Sequence, residues 1–170
     1  MNTIPSTPLM CKEDINFIES FLSPTDIMLE WGSGGSTMYF APKVSKYYSI
    51  EHDVTWSNTL ANNLPNNVEY HFVPNDYPMS EPSTRYEEIK TYVNKVDDLG
   101  VKIFDKVFID GRGRSFCSLK ILNYISSTSV VLIHDFWSRE CRGYFEVFKE
   151  KRDIDQEDII QIIKDRQSKK

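Results

Sequence analysis

The sequence predicts an α/β fold built on a mostly parallel sheet that carries helices on both faces. Short apolar runs alternate with segments of helical pattern across residues 26–134. The last run, residues 129–134, is continuously apolar, as expected of a strand buried on both faces. Three runs end in a carboxylate and the last is followed by an aspartate, which is typical of parallel sheets that bind ligands at the carboxyl ends of their strands.

The elements are predicted in chain order from breakers and apolar runs. An N-terminal helix begins near Thr7 and ends at Ser23, because the residue before a proline avoids the helical region. Strands are predicted at 26–30, 46–51, 68–73, 105–110 and 129–134, followed by helices at about 36–40, 54–64, 85–96 and 115–124. A proline-rich loop precedes the helix at 85–96, whose start is assigned to a capping box between Thr84 and Glu87.

Length, charge and cysteine usage narrow the class of protein. The 170 residues are expected to form a single domain, with an N-terminal helix in 1–24 and a ligand-binding core in 25–137. The segment 138–170 is predicted to contain a helix at 139–149 and a last strand at 158–163. The alternative for the last segment is a terminal helix over 158–163. A net charge of −5 argues against a nucleic-acid partner. No apolar run is long enough to span a membrane. Three widely spaced cysteines fit a cytoplasmic protein with reduced thiols.

The motif EWGSGGST, residues 30–37, forms a glycine-rich turn between the first strand and its helix. Glycines let the backbone turn sharply and approach a ligand without a Cβ in the way. Thr37 stands where the dinucleotide fingerprint requires a third glycine, and Glu30 suits an ammonium or sulfonium better than a pyrophosphate. Glu51 ends the next strand, at the distance where an acid binds ribose hydroxyls.

With this turn the sequence resembles the class I S-adenosylmethionine-dependent methyltransferases from about residue 27 to residue 137. The phrases EWGSGGST, IDGR and HDFW also resemble a narrower set of small bacterial-type methyltransferase-like proteins. The resemblance implies a Rossmann-like three-layer sandwich whose C-terminal part is curtailed after residue 137. It implies six cofactor-binding residues: Glu30, Gly32, Ser33, Gly34, Glu51 and Asp76. Among them, Asp76 follows the third strand, at the place where the family often contacts adenine.

A second cluster of acids follows the fourth and fifth strands. Its phrases IDGRGR and HDFW look similar to the metal-dependent catechol-type O-methyltransferases, in which an aspartate and an Asp-Asn pair hold a divalent cation. That similarity implies Asp110 and Asp135 as ligands of a cation such as Mg²⁺, with Phe136 in place of the amide ligand. Without a metal, Asp110, His134 and Asp135 remain the catalytic candidates, with His134 or Asp135 as general base. The alternative is a hydrogen-bonded strand-end histidine beside a capping aspartate.

Three further residues are candidates for substrate binding. Arg112 and Arg114 are positioned to clamp a carboxylate or phosphate, or else are solvated loop arginines. Trp137 is expected to wall the acceptor pocket or to pack in the core. The leading hypothesis is therefore methyl transfer to an oxygen or nitrogen of a small-molecule acceptor, with a protein partner or homo-oligomer as further possibilities. The alternatives are a catalytically inactive interaction module of the same fold and an NAD-dependent oxidoreductase.

Overall fold

The computed structural model describes residues 5–60, 64–79 and 85–135. Five strands form one sheet: β1 Ile27–Trp31, β2 Lys46–Glu51, β3 Val68–Phe72, β4 Lys106–Ile109 and β5 Val130–Ile133. Five α-helices accompany them in this part of the chain: α1 Lys12–Glu19, α2 Gly35–Phe40, α3 Val54–Leu60, α4 Lys90–Asn94 and α5 Arg114–Ile121. Strand and helix thus alternate as predicted.

The strand order of the sheet is β3-β2-β1-β4-β5, and every pairing is parallel. The chain runs outward from β1 through β2 to β3, returns to β4 on the other side of β1, and then continues to β5. The direction in which successive strands are added therefore reverses between β1 and β4. In α/β sheets, ligands bind in the crevice at the carboxyl ends of the strands next to such a reversal. The α/β, Rossmann-like fold class predicted from the sequence is confirmed.

Each face of the sheet carries its own apolar cluster, because alternate residues of a strand point to opposite faces. In β1, Leu29 and Trp31 enter one cluster, which α4 and α5 cover with residues such as Tyr92 and Cys117. Met28 enters the other cluster, which α1 and α2 cover with residues such as Ile18 and Phe40. The result is the predicted sandwich of three layers.

Predicted and observed boundaries of the strands differ by no more than one residue at either end. The helices differ more: the N-terminal helix predicted from near Thr7 to Ser23 spans only Lys12–Glu19, and the helix predicted at 85–96 is divided. This segment is not one helix but a 3-10 turn at Tyr86–Glu88, the helix α4, and a second 3-10 turn at Lys95–Asp98. The Glu88 carboxylate accepts the Arg85 N–H at 3.0 Å, so the capping arrangement begins at Arg85. Thr84, the predicted cap, lies outside the described residues, as do Trp137, the helix predicted at 139–149 and the strand predicted at 158–163.

None of the helices in the described ranges combines the length and the apolar character that crossing a bilayer requires.

Candidate functional site

A cavity of about 270 Å³ opens at the carboxyl ends of β1, β2 and β4. It lies over the reversal of strand order, where the topology predicts a ligand site. Its walls are the glycine turn 32–36, Glu51 and His52 after β2, Trp56 on α3, residues 110–112 after β4, Arg114, and Leu9 from the N-terminal segment. Among the predicted cofactor residues, Gly32, Ser33, Gly34 and Glu51 belong to this wall.

The glycine turn is held from two sides. A Cβ at Gly32, whose φ is +98°, would meet the Gly111 backbone nitrogen at 2.4 Å, so the loops after β1 and β4 can pass this closely only without a side chain there. On the other side the Trp56 indole N–H donates to the Ser33 carbonyl oxygen and packs against Gly34. The turn is therefore fixed in shape by its neighbours.

Glu51 lies buried at the junction of the turn and β2. One carboxylate oxygen, Oε2, accepts the Ser33 N–H at 2.7 Å. The other, Oε1, accepts the backbone N–H groups of His52 at 2.8 Å and Asp53 at 2.7 Å. A carboxylate has about four acceptor positions. Glu51 is thus locked against the turn and keeps acceptor capacity toward the cavity that it lines.

Glu30 lies behind the turn instead of in the cavity. Its carboxylate accepts hydrogen bonds from the hydroxyls of Ser36, Thr37 and Ser49, the last at 2.9 Å. Its burial is complete and raises the pKa of this carboxyl to about 7, although the three hydroxyls act in the opposite direction. Glu30 is thus absent from the cavity wall, so the structure gives the predicted contact with the cofactor no support, and the residue ties β1, β2 and α2 together.

Asp76 also differs from its predicted role. It is exposed and absent from the cavity wall. Its carboxylate accepts the Thr91 backbone N–H at 2.8 Å and the Thr91 hydroxyl, while its own N–H donates to the Glu88 carbonyl oxygen at 2.9 Å. The proline-rich loop thus brings Asp76 to the start of α4, where it caps the helix, and the structure gives the predicted adenine contact no support.

The three predicted catalytic residues come together after β4 and β5. Asp110, His134 and Asp135 each offer one ligand or proton-accepting atom, and these atoms lie within 4.8 Å of one another. His134 Nδ1 lies 2.9 Å from Asp110 Oδ1 and 3.8 Å from Asp135 Oδ2. The hydrogen bond to Asp110 raises the pKa of the His134 imidazole, while its partial burial opposes this shift.

Arg114 lies beneath this cluster and is buried. Its guanidinium donates to the carbonyl oxygens of Gly111 at 2.9 Å, Asp110 at 3.1 Å, and His134. The same group lies 3.2 Å from Asp110 Oδ1 and 3.6 Å from Asp135 Oδ2. Arg114 therefore ties the ends of β4 and β5 to each other. The other predicted arginine, Arg112, lines the cavity and is not part of this set of Arg114 hydrogen bonds.

Sequence reasoning missed several residues of the cavity wall, among them His52 and Trp56, and it also missed Tyr92, which is fully buried and not part of that wall. The Tyr92 hydroxyl is buried beneath Gly111, where a Cβ would meet it at 2.1 Å, and the Tyr92 and His52 ring centroids are 5.2 Å apart. Among the described residues, neither the Tyr92 hydroxyl nor His52 Nδ1 has a hydrogen-bond partner, although Nδ1 lies 3.0 Å from Glu51 Oε1. Only His52 carried a signal, its position directly after a strand-end acid; Tyr92 is indistinguishable from a core residue in the sequence.

The order of the parallel sheet and the position of the cavity define an α/β protein of Rossmann-like fold. No family model and no curated protein matches the sequence. Among solved structures the chain is similar to a methyltransferase-like protein from Silicibacter pomeroyi DSS-3, with a TM-score of 0.60 and 23% identity over 85% of this chain and 81% of that one. It is also similar to precorrin 8W decarboxylase from Methanobacterium thermoautotrophicum, with a TM-score of 0.60 and 16% identity over 92% of this chain and 79% of that one.

Proposed function

We propose that this protein is an S-adenosylmethionine-dependent methyltransferase that acts on an oxygen or nitrogen of a small acceptor. The observation that carries the proposal is the position of Glu51, which lines the cavity while its carboxylate is held by the backbone of the glycine turn. An acid at the end of the second strand is placed to accept hydrogen bonds from ribose hydroxyls. The methyltransferase fold supports the same assignment.

The residues around the cavity suit a ligand with an apolar surface and a few polar edges. Trp56 supplies an aromatic wall, and the glycine turn brings backbone close to the ligand. His52 lines the same wall beside Glu51, and its imidazole adds a polar edge to the cavity.

The chemistry needs a correctly placed acceptor and a site for its proton. Bound S-adenosylmethionine supplies an activated methyl group, so alignment accounts for much of the rate. Because Asp110 binds His134 Nδ1, the Nε2 atom of His134 is left to accept the proton that the acceptor loses as its oxygen or nitrogen bonds to the methyl carbon. Asp110 then stabilises the imidazolium that forms.

The same fold supports other reactions, because one similar structure is a decarboxylase. Cofactor choice is therefore the property to test first. We expect calorimetric titration with S-adenosylhomocysteine to show micromolar binding and NAD to show none. Glu51→Gln should weaken binding by about 100-fold, since it removes charge from a buried group that accepts hydrogen bonds.

A matched control is Glu69→Gln, which changes a partly exposed acid on the neighbouring strand β3 and should leave binding unchanged. Circular dichroism establishes that each variant is folded. Absence of heat with folded wild-type protein would contradict the proposal and favour the inactive interaction module. NAD binding that Glu51→Gln abolishes would instead favour an oxidoreductase.

A further inference from the structure

We infer that Arg114 takes the place of a divalent cation between Asp110 and Asp135, so that the acid cluster works without a metal. The part of this inference that concerns methyl transfer rests on the function proposed above. The part that concerns cation binding does not.

The cluster has the composition of a metal site. Two carboxylates and one imidazole, with ligand atoms within 4.8 Å of one another, form a donor set that divalent cations use. The catechol-type resemblance assigns the two carboxylates to a cation. Whether a cation fits therefore depends on what else contacts the same atoms.

The Arg114 guanidinium contacts both carboxylates. Its Nη2 atom lies 3.2 Å from Asp110 Oδ1, the atom that also binds His134 Nδ1, and its Nη1 atom lies 3.6 Å from Asp135 Oδ2. One oxygen of each carboxylate therefore faces the guanidinium. An arginine keeps its positive charge at any pH at which proteins fold, so the positive charge beside the two carboxylates is permanent.

Arg114 is also unable to move aside cheaply. The side chain is buried, and three backbone carbonyls at the ends of β4 and β5 accept its N–H groups. Withdrawing it would leave those carbonyls and the guanidinium without partners. A divalent cation bound to Asp110 and Asp135 would consequently lie beside a fixed like charge in a partly buried site, where charge repulsion is weakly screened.

This arrangement distinguishes the acid cluster from the site of a metal-dependent methyltransferase. A cation held by Asp110 and Asp135 would act as a Lewis acid and lower the pKa of the acceptor group that is methylated. Here Asp110 and Arg114 instead orient His134, which takes the proton itself. An acceptor with a single hydroxyl or amine therefore suffices, and chelation contributes nothing to its binding.

The test is a titration with Mn²⁺, followed by electron paramagnetic resonance, of the wild-type chain and three variants. We expect the wild type to bind no Mn²⁺ below the millimolar range. Arg114→Met should gain binding that an added Asp110→Asn substitution abolishes, whereas Arg114→Lys, which keeps the charge, should gain none. Arg112→Met, which removes a cation from the cavity wall, is the matched control and should also gain none.

Sub-millimolar binding by the wild type that Asp110→Asn abolishes would overturn the inference. So would a folded Arg114→Met variant that still binds no Mn²⁺. If Arg114→Met does not fold, the comparison of wild type with Asp110→Asn decides alone. Calorimetry of the wild-type chain with S-adenosylhomocysteine separates this result from the proposed function, since cofactor binding and Mn²⁺ binding by the same unaltered protein are two separate measurements.

Discussion

On the β1–β2 side of the cavity, the carboxylates of Glu30 and Glu51 accept hydrogen bonds from hydroxyl and backbone N–H groups, which carry no net charge. On the β4–β5 side, Asp110 and Asp135 face the Arg114 guanidinium and the His134 imidazole. Neutral dipoles position a buried acid but do not neutralise it, whereas ion pairs do both. The first side is therefore a fixed framework for a ligand, and the second is a charge-balanced centre that can handle a proton.

The largest effect should come from breaking the contact between the two sides. In Gly32→Ala the new Cβ would lie 2.4 Å from the Gly111 nitrogen and the backbone would keep a φ of +98°. We expect a loss of more than about 3 kcal/mol in the free energy of unfolding, measured with urea. Gly100→Ala is the control, because its φ of +69° is also positive but its Cβ would meet no atom within 4 Å. It should cost about 1 kcal/mol, and equal losses would contradict the role of crowding.

On the β1–β2 side, the buried Glu30 should make the free energy of unfolding depend on pH. Burial raises the Glu30 pKa from 4.5 to about 7, so the folded state binds a proton more tightly than the unfolded state. The free energy of unfolding should therefore decrease as pH rises from about 4.5 to about 7, by up to about 3 kcal/mol. Glu30→Gln should remove this contribution, so that urea unfolding at pH 5.5 and pH 8 gives a smaller difference than in the wild type.

The matched variant for Glu30 is Glu69→Gln, whose side chain is partly exposed. The Glu69 pKa is lowered by Lys46, which is the opposite direction from Glu30. Glu69→Gln should therefore leave the decrease between pH 4.5 and 7 in place. A Glu30→Gln protein with the full wild-type pH dependence would show that Glu30 is not the titrating group.

The charge-balanced side should respond to Asp110→Asn in two ways. Losing the carboxylate leaves Arg114 with one charged partner fewer, which should cost about 2 kcal/mol in urea unfolding. The pKa of His134 should fall, because its hydrogen bond to Asp110 is what raises it. Since the base must be neutral to accept a proton, the pH at which single-turnover methyl transfer begins should move downward in the variant.

The contribution of His134 to the free energy of unfolding should also depend on pH, and it should decrease as pH rises. Its folded pKa is raised above 6.5, so its contribution is fully present below pH 6.5 and is lost as pH rises through the folded pKa. Asp110→Asn should remove this component. Asp98→Asn, a change at an exposed acid, should alter neither the pH profile nor the linkage, and an unchanged profile in Asp110→Asn would contradict the assignment of His134 as base.

Comparing the two sides also shows how far sequence reasoning reaches. Topology brings strand ends to one edge, so the meeting of Glu51 with the glycine turn, and of Asp110 with His134, could be predicted from strand positions alone. The direction of a single side chain could not. Glu30 ends its predicted strand as Glu51 does, yet the observed strand continues to Trp31 and the Glu30 carboxylate turns toward the hydroxyls of α2 and β2. Such hydrogen-bond choices depend on the packed neighbours, which sequence position does not reveal.

The smallest expected effect concerns a residue that belongs to neither side. Asp76 follows β3, where the methyltransferase resemblance implies an adenine contact, but its carboxylate binds the Thr91 N–H and hydroxyl at the start of α4. Asp76→Ala should therefore cost about 1 kcal/mol in urea unfolding, the usual value of a helix cap. Affinity for S-adenosylhomocysteine, measured by calorimetry, should stay within about twofold of wild type, because Asp76 is not part of the cavity wall.

Asp76→Asn provides the matched comparison for the cap. Asparagine caps helices about as well as aspartate, so stability should return to nearly the wild-type value. A tenfold loss of affinity in Asp76→Ala would instead assign Asp76 to the ligand, and the site would then extend past β2 to the edge of β3. An unchanged affinity with reduced stability would confine the site to the ends of β1, β2 and β4, where the cavity lies.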